Sequence, residues 1–241
     1  MRKIMRFLVS AILLPVLILS TALLTYLHFF ASNDKNLSGV WTARLDFTSQ
    51  AAVTALSWLQ EIQAVSVSLQ DVESQMQGLT IEINLSLTQR AHSEGTFQCT
   101  ILPESYAACN QAAYEAFAAV FREQVAERLL MAGYAGDTDE EAVEALVMET
   151  FGMSTVSYLM SCGPNLLPSM EELQTLYDGS GAYQAADGIL TRQFEDGQAV
   201  RTKAEHYIRK DASLILTGES ADDADGTFVG HYPVIYTLQD A

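Results

Sequence analysis

The chain has 241 residues, of which 49% are hydrophobic, and it carries a formal net charge of −17. This length and apolar content are sufficient for one or two packed domains. A surface so rich in carboxylates repels phosphate backbones, so the composition argues against a nucleic-acid-binding protein.

The first feature along the chain is an apolar run at residues 7–31, which contains no Asp, Glu, Lys or Arg. A run of this length crosses a hydrocarbon core of about 30 Å as a helix. It is preceded by three basic residues, Arg2, Lys3 and Arg6. Because positive charges stay on the cytoplasmic side, residues 1–6 are predicted to be a cytoplasmic tail and the rest of the chain to be extracytoplasmic.

Two interpretations of the run differ in whether it is cleaved. A signal peptide has an apolar core of about 7 to 15 residues that is followed by small residues. Here the run is longer, and Phe29 and Phe30 stand near its exit. We therefore favour an uncleaved, single-pass signal anchor in the cell membrane, with residues 32–38 as a linker and residues 39–241 as the extracytoplasmic domain.

The domain is predicted to begin with a strand, a helix and a hairpin. Residues 40–47 and 79–89 alternate between apolar and polar side chains, as half-buried strands do. Residues 96–102 alternate in the same way and complete a hairpin with the second of these strands. Between them, a helix over residues 49–62 has an apolar side formed by Val53, Leu56, Leu59 and Ile62, whereas residues 64–78 show neither period clearly.

A block of helices is predicted over residues 103–178, where the apolar period changes from two to about 3.6. The first helix ends near Gly133 or Gly136, and its apolar face contains Tyr106, Ala113, Phe117, Val120 and Phe121. Thr138 with Glu141, and Ser169 with Glu172, have the spacing of capping boxes that begin two further helices.

The last sixty residues return to strands. Asp187-Gly188 and Asp196-Gly197 are favoured hairpin turn pairs between strand-like segments. The final segment places Tyr232, Val234, Tyr236 and Leu238 on a single face, and Pro233 indicates an edge strand or a bulge. The predicted fold is therefore α+β, with an antiparallel sheet or half-barrel interrupted by the helical block.

Three cysteines, Cys99, Cys109 and Cys162, lie in the exported part of the chain. An odd number leaves at least one thiol unpaired within a monomer. Cys99 and Cys109 are ten residues apart with Pro103 between them, so a strand-to-helix corner could bring them within bridging distance. The alternative is that both are buried thiols that act as small apolar groups. No C-x-x-C pair is present, which argues against a zinc site.

Residues 219–228, with the sequence ESADDADGTF, place four acidic side chains in their first seven positions. A helix-loop-helix calcium loop with Gly226 at its sixth position would place Ala221 and Tyr232 where oxygen ligands are needed. We interpret the segment as a solvated turn, with a weak, irregular cation site as the alternative.

Signals for catalysis are few. Three histidines, His92, His206 and His231, follow the apolar run, and no nucleophile elbow, zinc-binding helix or phosphate loop is present. His206 shares a strand face with Ala204 and Ile208, which predicts a position inside the sheet near Glu205 or Asp211. We predict no catalytic, metal-binding or cofactor-binding residue and favour a binding function over an enzymatic one.

Gly39-Val40-Trp41 resembles the G-x-W that opens the first strand of lipocalin-like β-domains. More broadly, the exported region is similar to uncharacterised bacterial membrane-anchored envelope proteins and lipoproteins that carry such a domain with a helical insertion. The further residues that match are Gly95 with Phe97, Gly181 with Tyr183, Leu214 with Leu216 and Gly218, and Tyr232 with Pro233. Two departures are the absence of a lipoprotein cysteine and the length of the helical block.

Three functional hypotheses follow. The first is a membrane-tethered domain that binds a small apolar ligand or another envelope protein, with Trp41, Tyr183, His206 and Tyr232 as candidate pocket residues. The second is a structural or assembly protein whose helical block forms an interface, which predicts an exposed apolar strip within residues 114–130. The third is a hydrolase that uses His206 or paired acids. The ligand and the oligomeric state are not specified by these patterns.

Overall fold

The computed structural model of the chain describes residues 36–62, 67–91, 93–195, 200–219 and 231–239. The predicted anchor at residues 7–31, His92, the Asp196-Gly197 pair and most of the acidic segment lie outside the described residues. Within the described ranges, no helix has the length and apolar character needed to span a membrane.

The core of the fold is a closed barrel of antiparallel strands in which each strand pairs with the next and the last pairs with the first. The strands are β1 Gly39–Asp46, β2 Thr80–Ala91, β3 Glu94–Ile101, β4 Gly179–Ala186, β5 Ile189–Glu195, β6 Val200–Lys210, β7 Ser213–Glu219 and β8 Val234–Leu238. The antiparallel α+β fold is thus confirmed. The open sheet or half-barrel is wrong, because β8 lies between β7 and β1 and closes the sheet.

Barrel closure also corrects the interpretation of Pro233, which lies just before β8 and not within an edge strand. The closing contact places Trp41 of β1 opposite Leu238 of β8, at the two ends of the domain sequence. A pairing between strands this far apart in the chain leaves no local pattern in the sequence. The alternation of buried and exposed residues along a single strand does leave such a pattern. The predicted inward set on β2 is confirmed by the burial of Ile81, Ile83, Leu85 and Leu87.

The helices lie in two connections of the barrel. Helix α1, Thr48–Ile62, and helix α2, Leu69–Gln75, join β1 to β2. The four others join β3 to β4, as predicted for residues 103–178: α3 Pro103–Met131, α4 Glu140–Phe151, α5 Thr155–Cys162 and α6 Met170–Tyr177. Apolar side chains of α1, α2, α3, α5 and α6 join the inward side chains of the barrel in a single hydrophobic core.

Three details of the helices differ from the predictions. Val53 of α1 is 48% exposed, and the helix instead packs through Leu59 and three alanines, Ala51, Ala52 and Ala55, because small side chains allow a close approach. The N-cap of α4 is Asp139, whose side chain accepts a hydrogen bond from the Ala142 amide, and not Thr138. Helix α2 begins at a capping box of Ser68 and Asp71, within the segment that shows neither period clearly.

The two ends of the barrel are built differently. One end carries the β4–β5 turn, in which Asp187 and Gly188 adopt left-handed φ values of 52° and 79°, as the predicted Asp-Gly hairpin requires. The β2–β3 and β6–β7 connections and the start of β1 lie at this same end, which we call the hairpin end. The six helices lie in the connections at the opposite end, which we call the helical end.

Candidate functional site

Trp41 closes the hairpin end of the barrel. Its side chain is fully buried, and its Nε1 donates a hydrogen bond to the Leu37 carbonyl oxygen at 2.8 Å. The Arg209 guanidinium lies 5.0 Å from the centre of the Trp41 ring, within the range of a cation–π contact. Leu37 is also fully buried. This end is therefore sealed by packed side chains.

A cluster of charged side chains lies inside the barrel toward the helical end, and we call it the charged cluster: Arg192, Lys203, Glu205 and Tyr232. Arg192 donates to Glu205 Oε2 through Nε, at 3.1 Å, and through Nη2. Lys203 Nζ lies 3.3 Å from Glu205 Oε1, and the Tyr232 hydroxyl donates to the same oxygen at 2.7 Å. The carboxylate is thus satisfied by three different side chains.

Strand register brings these residues together. Arg192 of β5 is opposite Lys203 of β6, and Leu190 is opposite Glu205, so Arg192 and Glu205 are diagonal neighbours on the inward face. Glu205 has only 1% of its surface exposed, and the Arg192 side chain only 4%. Ions this deeply buried are costly unless they are paired, and the register supplies the partners.

The same register corrects the predicted position of His206. Lys203 and Glu205 point inward, so His206 lies on the outer face, where it is exposed and where Ile208 is 56% exposed. The prediction placed the more apolar face of β6 inside the sheet. In the structure, the charged face of β6 lies inside instead, and its side chains form ion pairs there. A signal for this arrangement exists in the alternation of Arg201, Lys203 and Glu205 along the strand.

The cluster controls the protonation of its members. Burial by itself would raise the pKa of Glu205, but the charges of Arg192 and Lys203 and the Tyr232 hydrogen bond lower it below the usual value. Burial lowers the pKa of Lys203 to about 8, against the opposing attraction of Glu205. Burial and the charge of Glu205 raise the pKa of Tyr232. Near neutral pH, therefore, Glu205 is ionised, Tyr232 is protonated and Lys203 is the group closest to titration.

Aromatic rings flank the cluster at the mouth of the barrel. Lys203 Nζ lies 5.8 Å from the centre of the Tyr177 ring and 5.6 Å from that of Tyr232. Tyr177 is the last residue of α6, and burial raises its pKa to about 12. Arg201 donates to the carbonyl oxygens of Thr175 and Asp178, so it ties β6 to the end of the same helix.

Glu219 adds an acceptor beside the cluster. It is opposite Glu205 in the β6–β7 register, and its charge acts on Lys203 and Tyr232. Its Oε1 atom is buried and has no hydrogen-bond partner among the described residues. The helical end therefore contains cationic donors, tyrosine hydroxyls and a carboxylate oxygen that has no donor within the described ranges.

The four pocket residues proposed from the sequence do not form one site. Trp41 is at the hairpin end, Tyr232 is at the helical end and His206 is outside the barrel. Tyr183 is 3% exposed and packs inside the barrel over Gly95, where an added Cβ would lie 2.6 Å from its ring. Its hydroxyl is buried without a hydrogen-bond partner in the described part of the chain.

All three cysteines are free thiols, and Cys99 and Cys109 are buried while Cys162 is exposed. The Cys99–Cys109 bridge is therefore not formed. Cys99 faces the barrel interior, where it feels the charge of Arg192, whereas Cys109 belongs to α3, which packs against β2. Burial raises the pKa of both thiols, that of Cys109 to about 11, so both are protonated at neutral pH.

The chain matches no protein-family model, no curated protein and no solved structure.

Proposed function

We propose that this protein is a membrane-tethered, extracytoplasmic binding protein whose barrel receives one small ligand at its helical end. Closed eight-stranded barrels have an interior just wide enough to be filled by side chains or to hold one small ligand. The observation that carries the proposal is the charged cluster of Arg192, Lys203, Glu205 and Tyr232 inside that barrel.

A buried ion network is a poor way to stabilise a barrel. Replacing such networks with apolar side chains of similar size is often neutral or stabilising. Many other inward residues of this barrel are apolar and fully buried, among them Ile83, Leu85, Leu190 and Leu214. We therefore assign the cluster to ligand recognition and not to folding.

The chemistry of the helical end defines the ligand. Lys203 and Tyr232 are only partly buried, and Glu219 Oε1 lacks a donor among the described residues, so these groups can meet a polar head group. Next to them, the barrel presents Leu216, Val234 and Tyr236, which are buried. A small, largely apolar molecule with one polar group matches this arrangement.

The tether in this proposal comes from the sequence: the apolar run at residues 7–31 and the resemblance to anchored envelope proteins support it. Strand β1 begins at the hairpin end, so the proposed tether would join the barrel at that end. The full chain is expected in the membrane fraction, with its C-terminus accessible to external protease. Recovery from the cytosol without detergent would overturn the tether.

Ligand binding is tested with the full chain and the amphiphilic probe 1-anilinonaphthalene-8-sulfonate. We expect saturable fluorescence. The affinity for the probe should be about tenfold weaker in Lys203→Met and unchanged in Lys210→Met. Lys210 is the matched control, because it is exposed on the same strand. Near-UV circular dichroism verifies that each variant keeps its tertiary packing. Absence of saturable binding, or equal weakening in both lysine variants, would contradict the proposal.

A second candidate function, partner binding through the helical block, is favoured by exposed apolar side chains. Met131 is 77% exposed, Leu130 61%, and Met148 and Phe151 47% each. The strip predicted within residues 114–130 is exposed only at its last turn, because Tyr114, Phe117 and Val120 are buried. Photocrosslinking from position 131 in intact cells should give a discrete adduct that position 53, an exposed valine on α1, does not give. Identical patterns from both positions would remove this candidate.

A further inference from the structure

A cavity of about 380 Å³ lies on the outer face of the barrel, across β3, β4 and β5 and away from the charged cluster. Its size falls within the range of about 300 to 1,000 Å³ that is usual for small-molecule pockets. Most of the side chains that line it point outward from their strands, because their chain neighbours Phe97 and Arg192 are buried. Gly95 and Tyr183, which are buried and face inward, also line it.

The register explains why the surface is concave there. Thr96 of β3, Ala182 of β4 and Gln193 of β5 are direct neighbours and form one row across the three strands. Glu94, Gln184 and Thr191 form the adjacent row. The methyl group of Ala182 stands between longer side chains, so it forms the floor of the cavity.

The polar side chains of the cavity differ from those on the other side of the barrel. On the outer face of β1 and β2, cross-strand pairs satisfy one another: the Thr42 hydroxyl donates to Asn84 Oδ1 at 2.8 Å, and Arg44 Nε donates to Glu82 Oε1 at 2.9 Å.

In the cavity, six polar side chains have no side-chain hydrogen bond or ion pair with another described residue: Arg90, Glu94, Thr96, Gln184, Thr191 and Gln193. These donors and acceptors are all available to a ligand.

We propose that this cavity binds a neutral carbohydrate of one or two sugar rings. Carboxamides and hydroxyls both donate and accept, as sugar hydroxyls do, so Gln184, Gln193, Thr96 and Thr191 match that chemistry. Arg90 and Glu94 supply one charge of each sign, so the cavity has no net charge to select an ion. An apolar ligand would leave the six polar groups without partners, which is costly.

This site does not depend on the ligand proposed for the barrel interior. It uses outward residues of β3 to β5, whereas the charged cluster uses inward residues of β5 and β6. Variants in one site therefore test it separately from the other.

The test is saturation-transfer-difference NMR of maltose and of N,N′-diacetylchitobiose with the full chain, in a detergent that has no sugar head group. We expect saturable signals from at least one disaccharide. Two variants should weaken binding about tenfold: Ala182→Phe, which fills the floor, and Gln193→Ala, which removes an amide without adding bulk. The matched control is Gln98→Ala, because Gln98 is exposed on the same face of β3 but lies outside the cavity.

Three results would overturn the proposal. One is the absence of signal from both disaccharides up to about 10 mM, because ordinary carbohydrate recognition would be detected at that concentration. Another is an equal loss of binding in Gln98→Ala, which would place the contact elsewhere. Stronger binding of glucose 6-phosphate than of glucose would also contradict a neutral ligand, because it would assign the cavity to anions.

Discussion

The hairpin end and the helical end of the barrel are closed by opposite kinds of chemistry. At the hairpin end, Trp41 and Leu37 are fully buried, and the Arg209 guanidinium lies 5.0 Å from the centre of the indole ring. Toward the helical end, Arg192, Lys203 and Glu205 lie inside the barrel and satisfy one another. Apolar packing stabilises a fold directly. Buried ions stabilise it only by the part of their mutual attraction that exceeds the cost of their desolvation. The two ends therefore differ in how much their buried side chains stabilise the fold, and this contrast supports the proposal that a ligand binds at the helical end.

The largest expected effect is at the hairpin end. Trp41→Ala removes a fully buried indole and should lower the free energy of unfolding by about 3 to 5 kcal/mol, measured by urea denaturation. Val40→Ala, at the neighbouring position that is 41% exposed, should change it by less than about 0.5 kcal/mol. Similar small effects of both changes would show that this end does not carry the stability.

The charged cluster should respond to the loss of its single carboxylate almost as strongly. Glu205→Leu leaves the buried Arg192 and the partly buried Lys203 without their partner, and we expect a loss of about 3 kcal/mol in the free energy of unfolding. The control is Glu82→Leu, which breaks the exposed pair with Arg44 and should cost less than about 1 kcal/mol. If the two losses are equal, the cluster is solvated and the contrast between the ends disappears.

The pH dependence of stability isolates Lys203. Its pKa is about 8 in the folded protein and about 10.5 when exposed, so the unfolded chain binds more protons between these values. The free energy of unfolding should therefore rise with pH from about 8, by about 1 kcal/mol at pH 9 and about 2 kcal/mol at pH 10, through this group alone. Other groups oppose the rise, because burial raises the pKa values of Cys109 and Tyr177.

The measurable quantity is consequently the difference between wild type and Lys203→Met over this range, with Lys210→Met as the control. The difference should grow in favour of the wild type as the pH rises. A difference that does not change with pH would mean that Lys203 keeps an ordinary pKa and is not desolvated.

The smallest effect is expected outside the barrel. His206→Ala should change the free energy of unfolding by less than about 0.5 kcal/mol and leave probe binding at the helical end unchanged, because the imidazole is exposed on the outer face. A large loss of binding would show that this face, and not the charged cluster, contacts the ligand.

Local patterns in the sequence predicted the elements that local physics controls. The alternation of Ile81, Ile83, Leu85 and Leu87 identified β2 and its inward face, and Asp187-Gly188 identified a hairpin turn. The spacing of Ser169 and Glu172 identified the start of α6, where both hydrogen bonds of the capping box are present. Each of these features depends on residues that are close along the chain.

The candidate site was largely missed for a related reason. Arg192 and Glu205 are thirteen residues apart, and only the β5–β6 register makes them diagonal neighbours. A hydrophobic criterion chose the wrong face of β6, because it assigned Ile208 to the interior, where Lys203 lies instead. The cavity on β3 to β5 likewise exists only because Ala182 is placed between Thr96 and Gln193.

By itself, the sequence determined the acidic character of the protein, the apolar N-terminal run, most strands and helices, and the helical block between the third and fourth strands. These follow from charge, hydropathy and periods of two or 3.6 residues, which are properties of neighbouring residues. Closure of the barrel, the inward face of β6 and the free state of Cys99 and Cys109 were decided by the tertiary structure. They depend on pairing between distant strands, where the partner that satisfies a buried charge is known only once the chain has folded.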